Sequence, residues 1–154
     1  VRILKPGDVA GLEGLLSGNY AHTALCVGEV HACRTPVRAV QKICLEHASF
    51  QWNLMQRLQD TLQETEQWLV DMTSTSASAR MRMARLLLRL RDGESNRIYN
   101  FSREDFGLML GITVETASRI IAAFLRERLL VRREPASRFF DGDIVGLALE
   151  AQGR

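Results

Sequence analysis

The stretch Phe101 to Arg133, FSREDFGLMLGITVETASRIIAAFLRERLLVRR, constrains the chain more than any other segment. It reads as two short amphipathic helices joined by a glycine-containing turn and followed by a basic strand. Ser102 is placed to cap the first helix, with Asp105 three residues on. Phe106, Met109 and Leu110 then fall on one face, and Gly111 ends the helix. Thr113 is placed to cap the second helix, whose apolar stripe is Ile120, Ile121, Phe124 and Leu125. Glu115, Ser118 and Arg119 stand together on its opposite face at spacings of three and four. A helix-turn-helix needs this arrangement: a buried stripe holds the second helix, and its exposed N-terminal residues meet base edges in the major groove.

The chemistry of that face separates this reading from an ordinary helical hairpin. Arginine bonds bidentately to guanine and glutamate accepts from the cytosine amino group, so adjacent turns carrying both can read one or two G·C pairs. As an exposed i, i+4 surface pair, Glu115 and Arg119 would contribute only a few tenths of a kcal/mol, about 0.2–0.5. The two roles are compatible, because such a pair also orients the guanidinium.

TVETASRIIAAF closely resembles the recognition helix of the Crp/Fnr transcription regulators, and its V-E-x-x-S-R core has the form typical of the Fnr branch. KPGDVAG near the start, a long helix before the hairpin, SREDFGLMLG as its first helix and LLVRRE as the start of a wing extend the likeness over nearly the whole chain. The resemblance implies base contacts from Glu115, Ser118 and Arg119, with Val114 placed for a thymine methyl or an adjacent base edge. Val114 stands where the cyclic-AMP-dependent branch has arginine. Phosphate contacts are expected from Arg103, Thr113, Thr116, Arg132, Arg133 and Arg138. The implied half-site is TTGA-like, repeated about a two-fold axis and bound by a homodimer, with RNA polymerase as a further partner.

Charge is distributed in keeping with that expectation. The net charge of +2 hides an asymmetry: residues 1–72 have 6 basic and 8 acidic groups, net −2. Residues 73–138 have 13 basic groups, all arginine, and 7 acidic ones, net +6. Positive charge therefore gathers around the hairpin, as phosphate attraction requires, and arginine suits planar phosphate contacts.

Before the hairpin, residues 1–35 are rich in glycine and β-branched residues without helical periodicity, and Thr23 to Arg34 alternates loosely, as a strand pair turning near Gly28-Glu29 would. By resemblance, residues 1–47 are the distal part of a cyclic-nucleotide-binding-like β-roll, an effector domain whose earlier strands lie outside this sequence. Pro36 to His47 suits a short helix. From Ser49, Gln51, Met55, Leu58, Leu62, Thr65, Leu69 and Met72 recur at alternating steps of four and three. That is a heptad seam, and it predicts a dimerisation helix over 48–73. TSTSAS at 73–78 is a polar stop. Residues 74–154 then form a winged helix-turn-helix domain: a helix over Ala79–Arg91, a strand over Arg97–Phe101, the hairpin, wing strands over Leu129–Arg133 and Arg138–Phe140, and a last helix over Ile144–Leu149. The expected fold is α+β.

Three cysteines and three histidines show no metal-ligand spacing, and no nucleophile motif marks an enzyme. An odd cysteine count fits a reducing cytoplasm. No run approaches a membrane span, and VRILKPGDV has Gly and Pro where a leader needs an apolar core. A-C-R-T-P at Cys33 resembles the place where oxygen-sensing Fnr proteins hold one iron–sulfur ligand; a cluster there requires the other three cysteines upstream. Cyclic AMP is disfavoured, because Leu12 stands at the family's ribose-binding Glu position and His22-Thr23 at its Arg-Ser pair. Haem or another effector stays open. The alternative to DNA reading is a coiled-coil interaction module with a solvated basic half.

Overall fold

The computed structural model describes residues 3–26, 29–73, 77–134 and 137–153. In chain order the elements are α1 (Gly14–Ser17), α2 (Val37–Glu46), α3 (Ala48–Thr73), α4 (Ala79–Arg89), β1 (Arg97–Tyr99), α5 (Arg103–Leu110), α6 (Val114–Arg126), β2 (Leu130–Val131), β3 (Phe139–Gly142) and α7 (Ile144–Gln152). Packing divides the chain into two units, Val1–Gln67 and Trp68–Arg154. The architecture is α+β, helix-rich with one small sheet.

In the second unit the apolar positions predicted from periodicity make the core. Met83, Leu86, Leu87 and Leu90 of α4 and its C-terminal end are sealed from solvent, joined by Phe106 and Leu110 of α5, Ile121 and Phe124 of α6, and Leu147 of α7. Ser78 caps α4, its hydroxyl accepting from the Met81 amide at 3.1 Å. Residues 74–76 of the predicted polar stop lie outside the described residues. The sheet is antiparallel with strand order β1-β3-β2. Its register pairs Ile98 with Phe140 and Leu130 with Gly142. Ile98, Phe140 and Leu130 point into the core, while Arg97, Tyr99 and Phe139 share the outer face, where the Arg97 guanidinium lies 3.9 Å from the Phe139 ring centre. The wing tip closes with the Ser137 amide donating to the Glu134 carbonyl at 3.1 Å. Pro135 and Ala136, within the predicted wing turn, lie outside the described residues.

The first unit corrects one expectation. Among its described residues there is no strand, so neither the pair predicted over Thr23–Arg34 nor a distal β-roll is formed there. A strand is stable only when neighbours take up its N–H and C=O groups, and two short alternating segments with only each other are marginal. Gly28, in the predicted turn, lies outside the described residues. What does form is local. Pro36 precedes α2 in extended conformation. Gln41 of α2 donates to the Leu15 carbonyl of α1 at 2.9 Å, and the Tyr20 ring packs against Gly11 and Gly14, where a side chain would collide with it.

Candidate nucleic-acid interface

Two caps and a tight approach build the hairpin. The Ser102 hydroxyl accepts from the Asp105 amide at 3.0 Å and donates to the Asp105 carboxylate at 2.7 Å. Gly111 ends α5 at φ +62°, in the left-handed region that favours glycine. The Thr113 hydroxyl accepts from the Thr116 amide at 3.2 Å and starts α6. The chain turns through 108° between the two helices, within the range of helix-turn-helix motifs. Gly107 makes that angle attainable: a Cβ there would sit 2.9 Å from the Ile112 carbonyl oxygen. Gly107 and Ala117, both buried, were not singled out from the sequence. The detectable signal was a small residue on the inner face of each helix.

At the start of α6, Glu115 and Arg119 are exposed, Ser118 is half-buried at the edge of the stripe, and Val114 is exposed. The Glu115 carboxylate is held below its ordinary range first by its own backbone amide, then by the Thr113 hydroxyl, with the Arg119 charge contributing least. Among the described residues no ion pair or hydrogen bond occupies the Arg119 guanidinium. The alternative of a bonded surface pair between Glu115 and Arg119 is therefore not realised; the Arg119 charge acts on Glu115 only at a distance. Both side chains face solvent about one turn apart, roughly 6 Å along the axis, with their polar ends uncommitted to each other.

The phosphate-contact candidates fall into different settings. Arg103 starts α5 half-buried, its guanidinium carbon 5.8 Å from the Phe106 ring centre and 6.0 Å from that of Phe140. Burial, then the nearby Arg132 charge, lowers its pKa, and its Nη1 is buried without a hydrogen-bond partner. Arg132 is exposed and stacks 5.6 Å from the Phe140 centre. Arg133 pairs with Asp141. Arg138 is exposed at the foot of β3. Thr113 and Thr116 sit at the N-terminal end of α6, their hydroxyls 3.1 Å apart.

Much of the arginine excess has a structural use, which revises the inference drawn from composition. Arg82 donates to the Leu110 carbonyl at 3.1 Å and Arg85 to the Ala151 carbonyl at 3.0 Å, satisfying the C-terminal ends of α5 and α7. Arg80 pairs with Glu127 and Glu150. These three arginines hold the domain together, whereas Arg119 of α6 and Arg138 beside β3 are exposed.

Along α3 the heptad seam is open. Met55 is 54% exposed, Leu58 38%, Leu62 58% and Leu69 61%. Thr65 is exposed and spends its hydroxyl on the Thr61 carbonyl at 2.8 Å. The Met72 side chain lies outside the described residues. Cys33 is exposed and unpaired. Among the described residues no group of three or more His, Cys, Asp or Glu is brought together, so they do not by themselves fit an iron–sulfur cluster. Also among them, no single helix is long and apolar enough to cross a membrane.

The profile of the Crp-like helix-turn-helix domain family matches residues 81–139. The chain is 24% identical to the transcriptional regulatory protein Btr of Bordetella pertussis, over 88% of this chain and 58% of that protein. It is also 24% identical to the transcriptional activator protein FnrA of Stutzerimonas stutzeri, over 96% of this chain and 62% of that one. The chain thus spans about three fifths of the length of these relatives. Among solved structures, FixK2 from Bradyrhizobium japonicum superposes with a TM-score of 0.62 at 21% identity, over 73% of this chain and 57% of that one. A CRP-family transcriptional regulator from Thermus thermophilus gives 0.54 at 21% identity, over 68% and 54%. These two structures share the fold. The capped, glycine-hinged hairpin agrees with the matched domain: residues 81–139 form a Crp-like helix-turn-helix domain, and the chain is similar to the transcription regulators named above.

Proposed function

We propose that this protein reads a two-fold-symmetric operator as a homodimer, with α6 in the major groove of each half-site. The observation that carries the reading is the exposed Glu115 and Arg119 at the start of α6, not bonded to each other, on a helix held by a buried stripe and a 108° turn. Arg119 would take guanine bidentately, and Glu115 the paired or neighbouring cytosine. Val114 and Ser118 flank them for a thymine methyl or an adjacent base edge, which gives a TTGA-like half-site. Arg103, Thr113, Thr116, Arg132, Arg133 and Arg138 set affinity through phosphates. The exposed seam of α3 supports the dimer: Met55, Leu58, Leu62 and Leu69 present apolar side chains to solvent at heptad spacing. An effector acting through the residues before α3 would complete the regulator. Selection of bound duplexes from a random pool tests the reading. It should return two TTGA-like half-sites related by a two-fold axis and centred about one helical turn, roughly 34 Å, apart. A pool retained without any common sequence would overturn it.

A further inference from the structure

Arg80 occupies the second position of α4, after the Ser78 cap, where a cation opposes the helix dipole and no acidic residue of the first turn offsets it. Its guanidinium is instead gripped from outside the helix. Nε donates to Glu150 Oε1 at 2.7 Å and Nη2 to Glu150 Oε2 at 2.9 Å. Nη1 donates to Glu127 Oε1 at 3.1 Å and Nη2 to Glu127 Oε2 at 2.5 Å. The same group lies 4.7 Å from the Phe124 ring centre. Two bidentate carboxylates and an aromatic face thus converge on one planar cation, a geometry that lysine cannot reproduce. Hydrogen bonding to Glu150 and then Glu127 raises the Arg80 pKa, and the Arg80 guanidinium holds Glu127 below its ordinary range.

The position of Glu127 gives this cluster its significance. It is the C-cap residue of α6, and the residues around it, Arg126 to Arg128, are exposed. Buried packing holds α6 at Ala117, Ile121 and Phe124. Ile121 lies midway between Glu115 and Glu127, about 9 Å from each along the axis. A helix pivoting there moves its two ends by equal amounts in opposite senses. Slack of about 1 Å at Glu127 becomes about 1 Å at Glu115, enough to spoil a bidentate bond to a base.

We propose that Arg80 is a positioning residue for base reading: by clamping the C-cap of α6 to α4 and α7, it fixes the angle at which the N-terminal end of α6 meets DNA. The proposal rests on the DNA reading above. It contrasts with the simpler view of Arg80 as one more phosphate-binding charge, and the two views predict opposite results for Glu127→Gln. That substitution loses an anion, so a phosphate-binding Arg80 would be released and bind all DNA more tightly. A clamp would instead be weakened, and discrimination would fall.

The test compares the wild-type chain with its Arg80→Gln and Glu127→Gln variants on a symmetric TTGA-like duplex and on randomised duplexes at one salt concentration. Amide hydrogen exchange in the last turn of α6 is followed without DNA. Both variants should lose about tenfold in the ratio of matched to random affinity, and exchange at Ala123–Glu127 should quicken in both. Tighter binding of Glu127→Gln to both duplexes, or an unchanged ratio with unchanged exchange, would overturn the clamp. Should the wild type itself show no preference, the DNA reading fails; quickened exchange would still establish the anchor of α6, and unchanged exchange would remove that too.

Discussion

Replacing Gly107 with alanine tests the geometry of the hairpin by sign as well as size. The added methyl would meet the Ile112 carbonyl oxygen at 2.9 Å, with the Val114 nitrogen at 3.7 Å and the Thr113 carbonyl carbon at 3.8 Å. Those are backbone atoms, so no side chain can swing aside. The turn cannot simply retreat, because the Ile112 amide donates to the Gly107 carbonyl at 3.0 Å and the Gly111 amide donates to it as well. Forcing a methyl into a packed contact costs about 1–3 kcal/mol. Alanine in place of a helical glycine returns about 0.8–1 kcal/mol of propensity. The net expectation is destabilisation of about 1 kcal/mol, a Tm lowered by roughly 4–8 °C for a domain of this size. Calorimetric unfolding measures it, and Gly107→Val should fall further because its larger side chain meets the same wall. A raised Tm for Gly107→Ala would mean that propensity alone acts there and that the close approach of α5 to the turn is not real.

Three further outcomes follow from named contacts. Leu62→Glu places a charge in the α3 seam, which should abolish the dimer at micromolar concentration in analytical ultracentrifugation; an unchanged dimer would mean that the seam is not the interface. Arg138→Ala should weaken specific and nonspecific binding alike and lower the salt slope by about one. Arg133→Ala should do less because Asp141 already partners it, and a loss confined to one operator sequence would contradict both assignments. Glu127, held down by Arg80, has a folded pKa below its ordinary 4.5. Its contribution to stability is therefore complete above that value and is lost as the pH falls through the folded pKa. An NMR titration of its carboxyl should give a midpoint below 4.5 that returns toward it in Arg80→Gln; a midpoint at or above the ordinary value in the wild type would refute the pairing.

Local signals were legible in the chain where they decide structure by themselves. Ser102, Gly111 and Thr113 end and begin helices as their side chains and backbone freedom dictate, and the stripes of α4 and α6 followed from period alone. Strand pairing was not legible in the same way. β1 finds β3 across a long intervening stretch that holds the whole hairpin, and Thr23–Arg34, with similar alternation, forms no strand among the described residues because alternation does not supply a neighbour. The arginines show the same limit. Composition says that residues 73–138 are basic, but only tertiary placement separates Arg80, Arg82 and Arg85, which hold helix ends, from Arg119. A cation in the first turn of α4, against the helix dipole, was the available hint that Arg80 has an acidic partner elsewhere.

The central claim is that α6 reads bases and that Arg119 does so directly. It is tested by binding wild type and Arg119→Ala to a symmetric TTGA-like duplex in competition with randomised duplexes at one fixed salt concentration. The guanidinium is exposed and unpaired among the described residues, so the substitution removes no contact that holds the fold. On the matched duplex the variant should lose about 1–3 kcal/mol, and on randomised DNA far less, because nonspecific binding rests on phosphates. Equal losses on both kinds of DNA would show that Arg119 is only a charge near the backbone, and would contradict base reading by α6.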